Sequence, residues 1–278
     1  MLTLLDTTRA IHLPDGRSEP RTLVTYLRYP AAGAPGATDL PDAAPAREHG
    51  PFPLIVFGHG FAVTPGPYAA LLQSWARAGY VVAAPVFPLG SANAPGGPDE
   101  SDLINQPDDM RFVITRLLAD SRSASGPLAG LLAPSRIAVS GQSDGGDTAL
   151  AVAYDGHFFD PRVGAAVILS GAEIPGAGAL SFPGPSPPLL ATQGTADPVN
   201  PPVFTDTFFG PAPRPKYRLN LLGAAHLPPY TDQQPQLGIV ERVTTAFLDD
   251  YLKHKPGARQ RLLSVGAVPG IATLLAEP

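Results

Sequence analysis

The chain has 278 residues, of which 44% are hydrophobic and 15% are charged, and 19 Lys and Arg against 24 Asp and Glu give it a net charge of −5. This composition is typical of a globular protein with a large core, and the lack of a basic patch argues against nucleic acid as a partner. There is no cysteine, which excludes disulfides, thiolate nucleophiles and cysteine-bound metals.

Membrane and targeting signals are also missing from the sequence. No apolar run reaches the roughly 18 residues that a membrane-spanning helix needs. Residues 1–9 lack a basic segment followed by an apolar core, so we expect a cytoplasmic protein, although a secreted protein that had lost its leader would look the same. No clustered carboxylates or paired histidines predict a metal site, and we expect a monomer without metal or cofactor.

The first half of the chain predicts strands that alternate with helices. Residues 21–29 alternate in period two, which indicates a strand. After a loop rich in Ala, Pro and Gly, 54–57 is a continuous apolar run, as in a strand buried on both faces. This strand ends in Gly58-His59-Gly60-Phe61 and is followed by a predicted helix, 68–78, and by another buried strand, 80–84.

The second half repeats the pattern. Helices are predicted at 108–118, 147–153 and 239–252, and strands at 137–139, 163–169, 189–192 and 217–222, the last two of the chain. The four carboxylates of the acidic run, Glu100, Asp102, Asp108 and Asp109, are interpreted as a solvated helix entry. Together the elements predict an α/β fold with a mostly parallel sheet covered by helices on both faces, in one domain over 1–278. The tail, 253–278, is expected to be an added helix or loop.

Residues 136–146 predict a reactive serine. A short apolar strand runs into Gly141-Gln142-Ser143-Asp144-Gly145, and a helical pattern follows. A serine on a sharp strand-to-helix turn is lifted clear of the backbone, and the flanking glycines avoid a clash of Cβ atoms. The N–H groups at the start of the helix point to where negative charge develops in acyl transfer.

A serine nucleophile needs a histidine as base and a carboxylate to orient it, in the chain order serine, acid, histidine. Three histidines follow Ser143, and His226 is preferred over His157 and His254 because it lies on a Gly- and Pro-rich loop directly after a predicted strand. Asp197 is the predicted acid since it also follows a strand end. Asp206 is the alternative within a predicted helix, and Asp232 is excluded by chain order.

An oxyanion hole requires two backbone donors. One is the N–H of Asp144, and the second is expected from Phe61, with Gly60 as the alternative. His59 is interpreted as a structural hydrogen-bonding residue of the same turn. The carboxylate of Asp144 is expected to point away from the oxyanion hole and to cap the helix.

With these residues assigned, the chain resembles the α/β-hydrolase superfamily, and more narrowly its bacterial chlorophyllase-like, platelet-activating-factor-acetylhydrolase-like and cutinase-like branch. The motifs that carry the resemblance are His59-Gly60-Phe61, the Asn-Gln-Pro-Asp-Asp-Met run at 105–110, the Gly-rich segment 141–146, Gly194-Thr195-Ala196-Asp197 and His226. The resemblance implies an α/β-hydrolase fold without a large cap domain. It also implies Ser143, Asp197 and His226 as the triad and Phe61 and Asp144 as oxyanion donors.

The prediction is therefore a serine hydrolase that cleaves short to medium acyl or aromatic carboxylic esters, small or polymeric, through an acyl-enzyme. A cutinase-like polyester hydrolase is the first alternative, but the chain lacks the disulfide usual in the secreted enzymes and has no tryptophan in 170–174, where they place one. An amidase or peptidase, an acyltransferase and a non-catalytic binding protein of the same fold are the others. The aromatic residues expected near the pocket are Phe61, Tyr68, Phe87 and Trp75, the last more typical of a core.

Overall fold

The protein is described here by a computed structural model, which covers residues 1–34, 36 and 38–278. The strands within these residues are β1 Leu2–His12, β2 Ser18–Arg28, β3 Phe52–Gly58, β4 Val81–Pro85, β5 Leu132–Gln142, β6 Val163–Leu169, β7 Leu189–Gly194, β8 Lys216–Leu221 and β9 Ala272–Glu277. They form a sheet in the order β1-β2-β4-β3-β5-β6-β7-β8-β9.

The centre of this sheet is parallel. β4, β3, β5, β6, β7 and β8 pair in parallel with their neighbours, whereas β1, β2 and β9 pair antiparallel toward the two edges. Parallel strands are joined by crossover helices that cover both faces, which is why every residue of β3, β4 and β7 is buried. The predicted mostly parallel sheet is confirmed.

Helices cover both faces of the sheet. They are α1 Ala69–Arg77, α2 Gln106–Arg122, α3 Asp144–Tyr154, α4 Pro202–Phe209, α5 Gln236–Tyr251 and α6 Ala258–Val265. Alternate side chains of β3 point to opposite faces of the sheet and show which helices cover each face. Leu54 and Val56 pack in the core formed with α2, α3 and α4, while Ile55 and Phe57 pack in the core formed with α1, α5 and α6.

Two edge strands lie outside the predicted set. β1 precedes the first predicted strand, and β9 lies in the tail, so 217–222 does not hold the last strand of the chain. The tail also contains α6, whose Leu262 is fully buried in the core shared with α5. β9 pairs with β8 through all six of its residues, from Ala272 to Glu277. An edge strand is half exposed and mixed in polarity, so its partner rather than its own apolar pattern determines where it lies.

The carboxyl ends of the parallel strands lie along one edge of the sheet. The loops after β3, β5, β7 and β8 start from Gly58, Gln142, Gly194 and Leu221. These four loops contain every residue that the sequence assigns to the site, and this edge is where open α/β sheets bind ligands. No helix in the described part of the chain is long and apolar enough to cross a membrane.

Candidate active site

Ser143 lies in a strained turn between β5 and α3. Its backbone angles are φ 55° and ψ −128°, a conformation rarely adopted by a residue with a side chain. A Cβ on Gly141 would lie 1.9 Å from the carbonyl oxygen of Gly145, and one on Gly145 would lie 2.1 Å from that of Gly58. Only glycine fits at these two positions, because the start of α3 packs directly on the ends of β3 and β5.

His226 and Asp197 are in direct contact. Nδ1 of His226 lies 2.7 Å from Oδ2 of Asp197. The other carboxylate oxygen accepts the backbone N–H groups of Val199 and Asn200, each at 2.9 Å. Burial acts to raise the pKa of Asp197, but the bonds from His226 and from these N–H groups outweigh it and hold the pKa below its usual value. Asp197 is therefore a carboxylate that orients the imidazole.

The second nitrogen of His226 is available for proton transfer. With Nδ1 donating to the carboxylate, Nε2 is left as an acceptor, and it is buried without a hydrogen-bond partner among the described residues. The expected bond from the Ser143 hydroxyl to Nε2 is thus not formed in this structure. Such bonds are often long in a free enzyme and shorten when substrate binds.

The loops that carry Asp197 and His226 cross each other closely. A Cβ on Gly194 would lie 2.5 Å from the carbonyl oxygen of Ala224 and 2.6 Å from that of Ala225. The N–H of Ala196 donates to the same Ala224 oxygen at 3.0 Å. The acid and the histidine, 29 residues apart, therefore meet because Gly194 leaves room for the second loop.

A buried glutamine holds the loop of the acid. Gln193, fully buried, donates from Nε2 to Oδ2 of Asp197 at 3.3 Å and to the carbonyl oxygen of Asn200 at 3.0 Å. Its Oε1 accepts the hydroxyl of Thr205 at 2.7 Å. Every polar atom of this side chain has a partner, as a buried amide requires.

The loop after β3, which contains Gly60 and the predicted oxyanion donor Phe61 and is called the oxyanion loop below, lies against Ser143. A Cβ on Gly60 would be 3.2 Å from Cβ of Ser143, so the backbone at Gly60 and Phe61 passes beside the serine. The N–H of Gly60 donates to the hydroxyl of Tyr68 at 3.3 Å. This hydrogen bond occupies the N–H of Gly60, which favours Phe61 as the donor from this loop.

Asp144 differs from its expected role as a helix cap. Its side chain is buried, with the residue 7% exposed, and Oδ2 has no hydrogen-bond partner among the described residues. Burial and the nearby Glu100 raise the pKa of this carboxyl to about 6, while His226 acts in the opposite direction. Asp144 is thus a buried acid with an unpaired oxygen, directly after Ser143 in the chain.

His59 has the structural role that the sequence predicts. It is buried, its Nδ1 lies 2.8 Å from the carbonyl oxygen of Gly60, and its Nε2 accepts the N–H of Phe87 at 3.0 Å. Burial lowers the pKa of His59 to about 4, so the ring is neutral and fixes the turn that leads to Phe61.

The competing acid and two of the expected aromatic residues have other positions in the structure. Asp206 is exposed on α4 and pairs with Arg218. Trp75 is fully buried and donates to the hydroxyl of Thr244 at 2.9 Å, so it is a core residue. Phe87 is also fully buried.

Sequence patterns missed most of the buried polar residues that connect these loops. Gln142 is the last residue of β5, and Gln193 precedes the last residue of β7. Tyr230 lies fully buried, as does Tyr68, which the sequence predicts near the pocket only as an aromatic residue. Oη of Tyr230 lies 2.9 Å from the hydroxyl of Ser170 and 3.1 Å from that of Thr192. A polar side chain at the end of a buried strand needs a hydrogen-bond partner. The sequence shows such a side chain but does not show which residue is its partner.

Comparisons with known proteins agree with the fold. Residues 40–168 match the Chlorophyllase family model, a segment that includes Phe61 and Ser143 and ends before Asp197 and His226. A search of curated protein sequences finds no match. Among solved structures, the ferulic acid esterase from Streptomyces cinnamoneus superposes with a TM-score of 0.67 and 22% identity, over 92% of this chain and 89% of that one.

The superposition shows that the two proteins share a fold, and the family match covers the segment that contains Ser143. Both agree with the fold and the family that the motifs predict. The chain thus has an α/β-hydrolase fold, and residues 40–168 are similar to the Chlorophyllase family.

Proposed function

We propose that this protein is a serine hydrolase of carboxylic esters that works through an acyl-enzyme intermediate, with Ser143 as nucleophile, His226 as base and Asp197 as the orienting acid. The observation that carries the proposal is the 2.7 Å contact between His226 and Asp197 at the sheet edge where Ser143 lies. It fixes the tautomer that presents Nε2 as a base.

In acylation, the hydroxyl oxygen of Ser143 attacks the ester carbonyl carbon and its proton passes to Nε2 of His226. The imidazolium that forms is stabilised by Asp197, whose lowered pKa keeps it anionic. The tetrahedral intermediate then collapses, and its alcohol leaves with the proton that Nε2 holds.

The negative oxygen of the intermediate is stabilised by the backbone N–H groups of Phe61 and Asp144. Donors of this kind are fixed before the reaction, so they require no reorganisation when charge develops. In deacylation, His226 takes a proton from water, which attacks the acyl carbon and releases the acid. Ser143 regains its proton from Nε2.

We infer that the substrates are short to medium acyl or aromatic esters. The shared fold with a ferulic acid esterase favours an aromatic acyl group. A panel of p-nitrophenyl esters of increasing chain length, with a feruloyl ester, an amide and a polyester film beside it, separates these classes. Preferential cleavage of the amide would contradict the proposal, and rapid erosion of the film would favour the polyester alternative.

A fluorophosphonate probe tests the nucleophile. Wild-type protein is expected to gain one adduct on Ser143, and Ser143→Ala to gain none and lose ester hydrolysis, as read by intact-mass and peptide mass spectrometry. Ser140→Ala is the matched control, since Ser140 is a buried serine of β5, the strand before Ser143, and its hydroxyl has no partner among the described residues. An adduct on any other residue, or hydrolysis by Ser143→Ala, would refute this mechanism.

A further inference from the structure

The residue before the nucleophile connects two other parts of the site. Gln142 is 1% exposed at the end of β5. Its Oε1 accepts the hydroxyl of Tyr68 at 2.7 Å, and its Nε2 donates to the backbone carbonyl of His226 at 3.1 Å. The orientation of the amide follows from chemistry, because a carbonyl only accepts and the nitrogen must therefore face His226.

Tyr68 extends this connection to the oxyanion loop. Its hydroxyl accepts the N–H of Gly60 at 3.3 Å, in a fully buried position where its ring packs edge-on against Phe57. Burial raises the pKa of Tyr68 well above its usual value. The hydroxyl therefore stays protonated and remains a donor to Gln142.

The oxyanion loop also packs directly on the glutamine. A Cβ on Gly60 would lie 2.9 Å from Oε1 of Gln142. The amide is thus in contact with the loop that carries Phe61, with the loop that carries His226 and, through the chain, with Ser143. A buried residue with only a space-filling role would be apolar, because burying an amide is costly unless each polar atom is paired.

We propose that Gln142, together with Tyr68, is a positioning residue that sets the oxyanion loop and the His226 loop at fixed distances from Ser143. The proposal rests on the proposed serine mechanism. Gln142 touches no reacting atom, and it acts through the backbone of His226 and through Tyr68 and Gly60. Coupled hydrogen bonds of this kind strengthen one another in a buried site, so the loss of one link affects both loops.

The test compares Gln142→Met, Gln142→Glu and Tyr68→Phe with wild type, using p-nitrophenyl acetate. Gln142→Met has a similar volume and no amide, and displacing catalytic loops by about an ångström costs on the order of 100-fold in rate. We expect a loss of about 10- to 100-fold that lies in kcat and not in KM. Tyr68→Phe keeps the bond to His226 and is expected to lose less.

Gln142→Glu supplies a readout that a purely structural role would not move. A protonated glutamic acid can replace the amide, because its O–H donates to the His226 carbonyl and its C=O accepts from Tyr68. The ionised carboxylate has no proton to donate and would place a negatively charged oxygen against the carbonyl oxygen of His226. The activity of this variant relative to wild type is therefore expected to rise as the pH falls. The relative activity of Gln142→Met is expected to stay constant with pH.

Tyr80→Phe is the matched control, since Tyr80 is also fully buried and its hydroxyl donates to Asp249 at 2.9 Å, in the core with α5. It is expected to lower the melting temperature as much as Tyr68→Phe while leaving kcat unchanged. Wild-type kcat in Gln142→Met, or a pH-independent ratio for Gln142→Glu, would overturn the inference. Activity in Ser143→Ala would instead refute the proposed mechanism, so the two failures are distinguishable.

Discussion

Nδ1 of His226 and Oδ2 of Asp197 are 2.7 Å apart, and the second oxygen of Asp197 is occupied by the N–H groups of Val199 and Asn200. These backbone donors fix which way the side chain faces. An asparagine at 197 would keep its oxygen on them and turn its NH₂ group toward His226. The imidazole would then have to accept at Nδ1 and carry its proton on Nε2.

Asp197→Asn therefore tests the tautomer argument. With Nε2 protonated, His226 cannot accept the serine proton, and we expect kcat to fall by about 10³- to 10⁴-fold without loss of fold. Steady-state kinetics and circular dichroism measure the two effects. Asp206→Asn is the control because Asp206 is an exposed acid on α4, and it should keep wild-type kinetics. Similar kinetics in both variants would show that Asp197 is not the acid.

Asp144 is expected to make stability depend on pH. Its carboxyl has a pKa of about 6 in the fold, raised by burial and by Glu100, against about 3.9 in the unfolded chain. The folded protein therefore holds this proton more tightly. The contribution of the group to stability is complete below about pH 4 and is lost as the pH rises through about 6.

Asp144→Asn removes this ionisation. Since one pKa unit corresponds to about 1.4 kcal/mol, we expect the free energy of unfolding to increase by up to about 3 kcal/mol at about pH 8 and to stay unchanged at about pH 4. Urea denaturation at both pH values measures the difference. An equal increase in the free energy of unfolding at the two pH values would mean that the increase comes from packing and not from removal of the charge.

Gly194 is expected to be irreplaceable, because a Cβ there would meet the carbonyl oxygens of Ala224 and Ala225 at 2.5 and 2.6 Å. Backbone atoms cannot move aside as a flexible side chain can. Gly194→Ala is expected to cost about 1–3 kcal/mol of stability and to displace the His226 loop. The melting temperature and kcat/KM should both fall. Gly66→Ala is the control and should change neither, because the atom nearest to the added Cβ is 3.5 Å away. A fully active Gly194→Ala would mean that the loops do not cross as described.

Arg21 is expected to be essential for stability. It is 2% exposed and forms two hydrogen bonds to Asp102 and two to Asp109. Arg21→Met would leave two buried carboxylates without this partner, which costs about 3–5 kcal/mol. Urea denaturation measures the loss. The exposed Arg17, which pairs with Asp15 on the surface, gives the control Arg17→Met, expected to change stability by less than about 1 kcal/mol.

That ion-pair network also shows where prediction from sequence fails. The acidic run was expected to be solvated, and Glu100 is indeed exposed. Asp102 and Asp109, however, are 4% and 0% exposed. Their partner Arg21 lies 81 and 88 residues away along the chain. Charge and spacing within the run contain no information about so distant a partner, so this part of the interpretation was wrong.

The sequence by itself determined the parallel sheet and the turn at Ser143. A short apolar run such as 54–57, bounded by Pro53 and Gly58, is typical of a strand buried on both faces, and a serine between Gly141 and Gly145 needs the close backbone approach that glycine permits. These are short-range consequences of burial and of steric clashes. The chain order that selected Asp197 and His226 depends on the same local patterns together with the family resemblance.

Only the tertiary structure decided how the loops are held together. The contact of Gln142 with His226 joins residues 84 apart, and that of Gln142 with Tyr68 joins residues 74 apart. Part of the tail forms the edge strand β9 because one edge of β8 is free to pair with it. The unpaired oxygen of Asp144, where a helix cap was expected, likewise follows from the packing around α3. Such features depend on which distant segments pack against one another, and no local pattern specifies that.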